Sequence, residues 1–120
     1  MDIAVASPAD SPTPNAQMLG VANIGQGGSA SNVGEFIHRG STMKVLVFGA
    51  GLNGSMTVTL SGPTDISISN VRSITSVDGM SGVAFDAAVS SSAALGARTV
   101  RLRSTHDDIT TFTGSLEVIP

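Results

Sequence analysis

His106, Asp107 and Asp108 stand side by side in the run Ser104 to Asp108, an imidazole and two carboxylates of the types that hold divalent ions. Calcium wants about six to eight oxygens, and adjacent residues in a tight turn seldom converge on one ion, so Asp78 or Asp86 would have to join them. The run reads as a solvated hairpin turn instead. Gly25-x-Gly27-x-x-Ala30 has the spacing of a dinucleotide loop, which works where it joins a strand to a helix, with an acid about twenty positions on. Neither the helix nor the acid follows, and Lys44 heads the next strand. His38 has no cysteine and no Gly-x-Ser-x-Gly elbow to work with, so no nucleophile with its base is assembled. Asn53-Gly54-Ser55, formally a glycosylation triplet, supplies a turn. The chemistry-bearing residues thus predict no catalytic, cofactor or metal site, and a protein that is not an enzyme.

Arg101 and Arg103 share one face of a strand, with Arg98 nearby. Guanidinium groups in a row suit carboxylates or an anionic surface, and they suit equally well cross-strand pairing with Glu117 or hydroxyls. Six basic and nine acidic residues give a net charge of −3, too weak a field to gather phosphates, which excludes nucleic acid as partner. Only 12% of residues are charged and Lys44 is the sole lysine, about half the usual charge and in the direction of an interface core. The surface is therefore read either as covered in use by protein or as an exported Ser/Thr/Gly surface. With four Phe and no Trp or Tyr, aromatic platforms for sugars are missing, so carbohydrate is disfavoured. Phe48, Phe85 and Phe112 take core-like positions and Phe36 stays uncommitted. No apolar run approaches the roughly 20 residues of a membrane span, and the first residues lack a basic region followed by an apolar core.

The elements that position these residues are strands. From Met43 to Val118 apolar and polar residues alternate in short runs punctuated by Gly, Asn, Asp and Ser, the period of a half-buried strand. Met43 to Phe48 is apolar on both faces, as a strand covered on both sides would be. Met56, Val58 and Leu60 alternate with threonines, and Ile66 and Ile68 with serines. Arg72 to Ser76 and Gly82 to Val89 follow. Val100 and Leu102 oppose Thr99, Arg101 and Arg103; Phe112, Leu116 and Val118 oppose Thr111, Thr113, Ser115 and Glu117. Some seven strands at intervals of about ten residues fit an all-β two-sheet sandwich.

Gly40 to Leu52 with its Gly49-Ala50-Gly51 turn, Met56 to Pro63, Leu95-Gly96-Ala97-Arg98 before the penultimate strand, and Phe112 to Val118 together resemble the bacterial IPT/TIG-type immunoglobulin-like domains. The resemblance covers about the C-terminal two-thirds of the chain. It implies a seven-stranded sandwich that serves as spacer or as adhesion and docking module, and it brings no catalytic residues.

The lead differs. Ala6 to Asn15 carries three prolines among Ser, Thr and Asp, an extended stretch with no core of its own. Gln17 to Ile24 can form one strand, on its own sheet edge or a neighbour's. Residues 1–34 are thus expected to be an extended arm and residues 35–120 an immunoglobulin-like sandwich. The expected partner-binding residues are Ile3, Val5, Met18, Leu19, Val21, Ile24, Arg101 and Arg103. The partner is expected to be protein, a homo-oligomer or a larger assembly such as a virion shell, tail or extracellular filament. A spacer or adhesion module of a secreted protein is the second reading. Location on a virion, outside the cell or at its surface follows from either.

Overall fold

The computed structural model describes residues 14–28 and 30–120, and among these every regular element is a strand. In chain order they are β1 Met18–Ala22, β2 Glu35–His38, β3 Thr42–Phe48, β4 Thr57–Leu60, β5 Ile66–Thr75, β6 Ser81–Val89, β7 Gly96–Arg98, β8 Val100–Arg103, β9 Ile109–Thr111 and β10 Leu116–Ile119. One sheet has the order β1-β3-β6-β5, all antiparallel. Opposite it lie two ladders, β2-β10-β7 and β9-β8-β4. Thr99 alone separates β7 from β8, so the two ladders continue one another along the chain. The single parallel pair among the described strands is β2 with β10, Ile37 beside Val118.

The alternation legible in the sequence decides which face is buried. Val45, Val47, Val83 and Phe85 from the four-stranded sheet meet Ile37, Val58, Val100, Leu102, Phe112, Leu116 and Val118 from the other layer in one continuous core. This is a sandwich-like, all-β architecture. About seven strands are expected from the sequence, and the described residues form ten. The extra ones arise from β1, from the short β2, and from irregularities that split long strands, such as residues 112–115 between β9 and β10. In the other direction, Ile66–Thr75, read as two strands, is one. A bulge between Ser69 and Arg72 joins its halves, and Asn70 takes φ 54°, a left-handed conformation that Asn tolerates better than most residues.

The strand expected within Gln17 to Ile24 forms on the domain's own sheet edge. β1 pairs with β3 over Met18 to Ala22, and Leu19 and Ala16 belong to the core. The entry to β1 is pinned by three hydrogen bonds: the Asn15 amide donates to the Ala50 carbonyl (3.0 Å), the Ala16 amide to Thr110 Oγ1 (2.9 Å) and the Gln17 amide to the Phe48 carbonyl (2.9 Å). The second of these gives the buried Thr110 hydroxyl its partner. A neighbour's edge is not needed to accommodate Gln17 to Ile24, because this domain's own β3 does so.

Gly49 shows how closely the entry packs. Its backbone lies against Asn15, and a Cβ there would collide with the Asn15 carbonyl. Gly49→Ala should therefore cost about 1–3 kcal/mol of stability, read as a lower urea midpoint with an unchanged slope.

Candidate functional site

β3 has two faces that do different things. Val45 and Val47 enter the core, whereas Lys44, Leu46 and Phe48 point to the outer surface of the four-stranded sheet. There Phe48 pairs with Gly82 and Met18, and Leu46 with Ala84 and Gly20. Gly82 gives the Phe48 ring a flat seat: a Cβ would come within 2.7 Å of the ring. Leu46 is nonetheless only 5% exposed, because the loop after β1 crosses over it. Gly28 sits so close to Ala22 and Leu46 that a Cβ would lie 2.9 Å from the Ala22 Cβ. The facing wall is the β5–β6 turn, closed by the Ser76 amide on the Met80 carbonyl (2.9 Å) and the Gly79 amide on the Ser76 carbonyl (3.0 Å). The Ser76 hydroxyl donates to the Asp78 carboxylate at its tip.

Between these walls lies a groove of about 350 Å³. Its floor is Met18, Leu46, Phe48 and Ile74, Met80 and Val77 flank it, and Lys44 closes one end. Beyond Lys44 the face turns polar: Asp86 opposes Lys44 in register and is held by Arg72 at 3.5 Å. The groove offers apolar contact, with Lys44 on its floor strand and Thr75, Ser76 and Asp78 on the wall made by the β5–β6 turn. It suits the alternate side chains of an extended segment better than a polar small molecule.

A second concavity, of about 400 Å³, lies where Pro14, Leu52 and Met56 meet the β8–β9 turn. Its rim holds Asn53, Ser104, His106 and Asp108. The turn is built by the Ser104 hydroxyl, which accepts from the His106 and Asp108 amides at 3.1 Å each, while Asp107 (φ 67°) turns its carboxylate to Arg103 at 3.0 Å. No group of three or more His, Cys, Asp or Glu among the described residues is arranged to hold a metal ion.

The residues expected to meet a partner are scattered. Ile3 and Val5 lie outside the described residues. Met18 lines the groove, Leu19 is fully buried, and Val21 is partly buried against the core. The parity of β1 sets this: Leu19 and Val21 oppose Val47 and Val45. Ile24 is half exposed in the turn after β1. Arg101 and Arg103 are exposed on the far side of the sandwich, on β8, where Arg101 lies between Thr59 and Thr111 and Arg103 between Thr57 and Ile109. Of the two kinds of pairing partner expected, the cross-strand neighbours include threonine hydroxyls, whereas Glu117 opposes Ala97.

Arg98 is not part of that stripe. It is buried and bidentate to Asp65 (2.7 and 3.0 Å), donates to the Ala94 carbonyl (2.7 Å), and passes beneath Gly62. The guanidinium and the Ala94 amide hold the Asp65 carboxyl at about 2, below its usual 3.8. Phe48, expected in the core, lies on the outer face, while Phe85 and Phe112 are core residues and Phe36 is exposed. Leu46, Ile74 and Met80 were missed as site residues. The signal that could have found them was the doubly apolar run Met43 to Phe48, whose second face had to be covered by something. No family model, curated protein or solved structure matches the chain.

Proposed function

We propose that the chain is a non-catalytic, immunoglobulin-like interaction module related to IPT/TIG domains. On this reading it docks on a larger protein assembly, such as a virion decoration, a tail or an extracellular filament, with help from its N-terminal segment. The strand order supports the immunoglobulin-like part: β1-β3-β6-β5 faces a layer in which β2 runs parallel to the last strand, β10. The observation that carries the docking part is the apolar outer-face groove, with Phe48 and Ile74 only partly covered, in a chain with 12% charge. Sizing by light scattering tests it against a chain of residues 14–120. Association of the full chain that is lost in the shorter one is expected; a full chain that stays monomeric up to high concentration overturns the reading.

One observation favours the spacer reading instead. Ala16 and Gln17 lie at the Ser81 end of β6, through Phe48 and Gly49, whereas Ile119 lies at its Val89 end, through Arg39 and Gly40. Residues 14 and 120 are thus separated by nearly the length of a nine-residue strand, on the order of 27–30 Å. That suits a bead carried on a string, and it predicts a monomer in the same experiment.

A further inference from the structure

Asn53 is the one asparagine of this chain that precedes a glycine; Asn15, Asn23, Asn32 and Asn70 precede Ala, Ile, Val and Val. We propose that Asn53-Gly54 is a site of spontaneous covalent modification, where the Gly54 nitrogen closes on the Asn53 side chain, and that the Ser73 hydroxyl is the latch that holds it back. The site lies outside the groove and rests on none of its residues.

The chemistry is intramolecular and needs only water. The Gly54 nitrogen gives up its proton and bonds to Asn53 Cγ; the Cγ–Nδ2 bond breaks, and Nδ2 leaves with that proton as ammonia. Water then opens the cyclic imide. Opening at Cγ leaves an aspartate, and opening at the backbone carbonyl leaves its β-linked isomer. Nothing is oxidised or reduced. A following glycine favours closure because no side chain crowds the attacking nitrogen, whereas β-branched Ile and Val crowd it most.

In the fold three sets of hydrogen bonds oppose that closure. The Gly54 amide, the nucleophile, donates to Ser73 Oγ at 2.7 Å. Asn53 Oδ1 accepts from the Ser55 amide at 3.0 Å and from the Ser55 hydroxyl, which fixes the carboxamide. The Met56 amide donates to the Asn53 carbonyl at 3.3 Å, which fixes the backbone between them. Gly54 also lies flat against β5, where a Cβ would come within 2.5 Å of the Ser73 nitrogen. A glycine is what this close approach requires, so packing itself places the reactive pair here.

Asn53 is exposed and stands on the rim of the second concavity with Ser104, His106 and Asp108. Modification therefore adds a carboxylate to a rim that already carries one. Its rate follows the fraction of time that the turn spends released from β5, a local opening and not the unfolding of the domain.

Mass spectrometry of the full chain, held at mildly alkaline pH and then digested with trypsin, tests the site. Lys44 and Arg72 bound one peptide that carries both Asn53 and Asn70, and its fragmentation tells them apart. In urea Asn53 should convert ahead of Asn70. In the folded chain it should convert at least roughly tenfold more slowly than in urea. Ser73→Ala should speed the folded chain about two- to tenfold, the factor that one hydrogen bond carries. Ser73→Thr, which keeps the hydroxyl, should convert at the wild-type rate. Asp65→Asn lowers stability from the other end of β5 and should leave the rate unchanged. Conversion of Ser73→Ala at the wild-type rate overturns the latch. So does an Asp65→Asn chain that converts as fast as Ser73→Ala, because the gate is then unfolding of the whole domain. A folded chain that converts as fast as the chain in urea overturns any hold by the fold. Conversion in urea at Asn70 ahead of Asn53 overturns the site itself.

Discussion

Leu19→Asp is expected to leave the domain unfolded at 25 °C. Leu19 has no exposed surface, so the substitution places a carboxylate among Val47, Val45 and the facing layer with no partner. The penalty for an unpaired buried charge, added to the lost apolar contact, is about 4–5 kcal/mol or more. That matches the lower end of the about 5–15 kcal/mol that holds a domain together, and the low charge and short strands of this domain place it at that end. Leu19→Ala, a milder form, should cost about 2–5 kcal/mol and lower the melting temperature by roughly 10–20 °C. Removal of residues 1–13 should shift the urea midpoint by no more than about 0.5 kcal/mol equivalent. Circular dichroism melts of the three proteins make the comparison. If Leu19→Asp melted like wild type, β1 would not be a strand of this domain.

The strand at β1 was legible in the sequence, and what was left open there was left open for a physical reason. The pattern Met18-Leu19-Gly20-Val21-Ala22 has the strand period, and the structure uses it, with Leu19 and Val21 inward. What alternation does not carry is the identity of the neighbouring edge, since backbone hydrogen bonds are the same from any strand. The long glycine-containing segment after it made a separate arm the simpler reading. That segment in fact folds back on β1: Leu19 and Ser31 exchange both backbone hydrogen bonds, at 2.9 and 3.0 Å. The same limit explains the groove. Met43 to Phe48 announced a strand covered twice, but only the fold shows that the second cover is two loops that stop short of one another over Phe48. In contrast Val100 and Leu102 against Arg101 and Arg103 were fully legible, because a strand with one wet face states its own orientation.

Arg98 is where charge enters the stability of this otherwise apolar fold, and acid should expose it. The Arg98 side chain is 3% exposed and that of Asp65 17%, so the guanidinium is the desolvated partner and depends on the carboxylate for its compensation. Because folding lowers Asp65 to about 2 from 3.8, the folded chain binds fewer protons than the unfolded one between those values. The pair's contribution is therefore complete above pH about 4 and is lost as the pH falls toward 2. Asp65→Asn should melt on the order of 5–10 °C below wild type at pH 7 and show a flatter decline from pH 5 to pH 2, so that the two curves converge near pH 2. Arg98→Met should remove most of the same pH dependence from the other side and leave the part that the Ala94 amide supplies. Urea titrations at pH 7, 5, 4, 3 and 2 give the slopes. Parallel curves for wild type and Asp65→Asn would mean that the loop from Ser61 to Asp65 is held to β7 by packing under Gly62 and not by the ion pair.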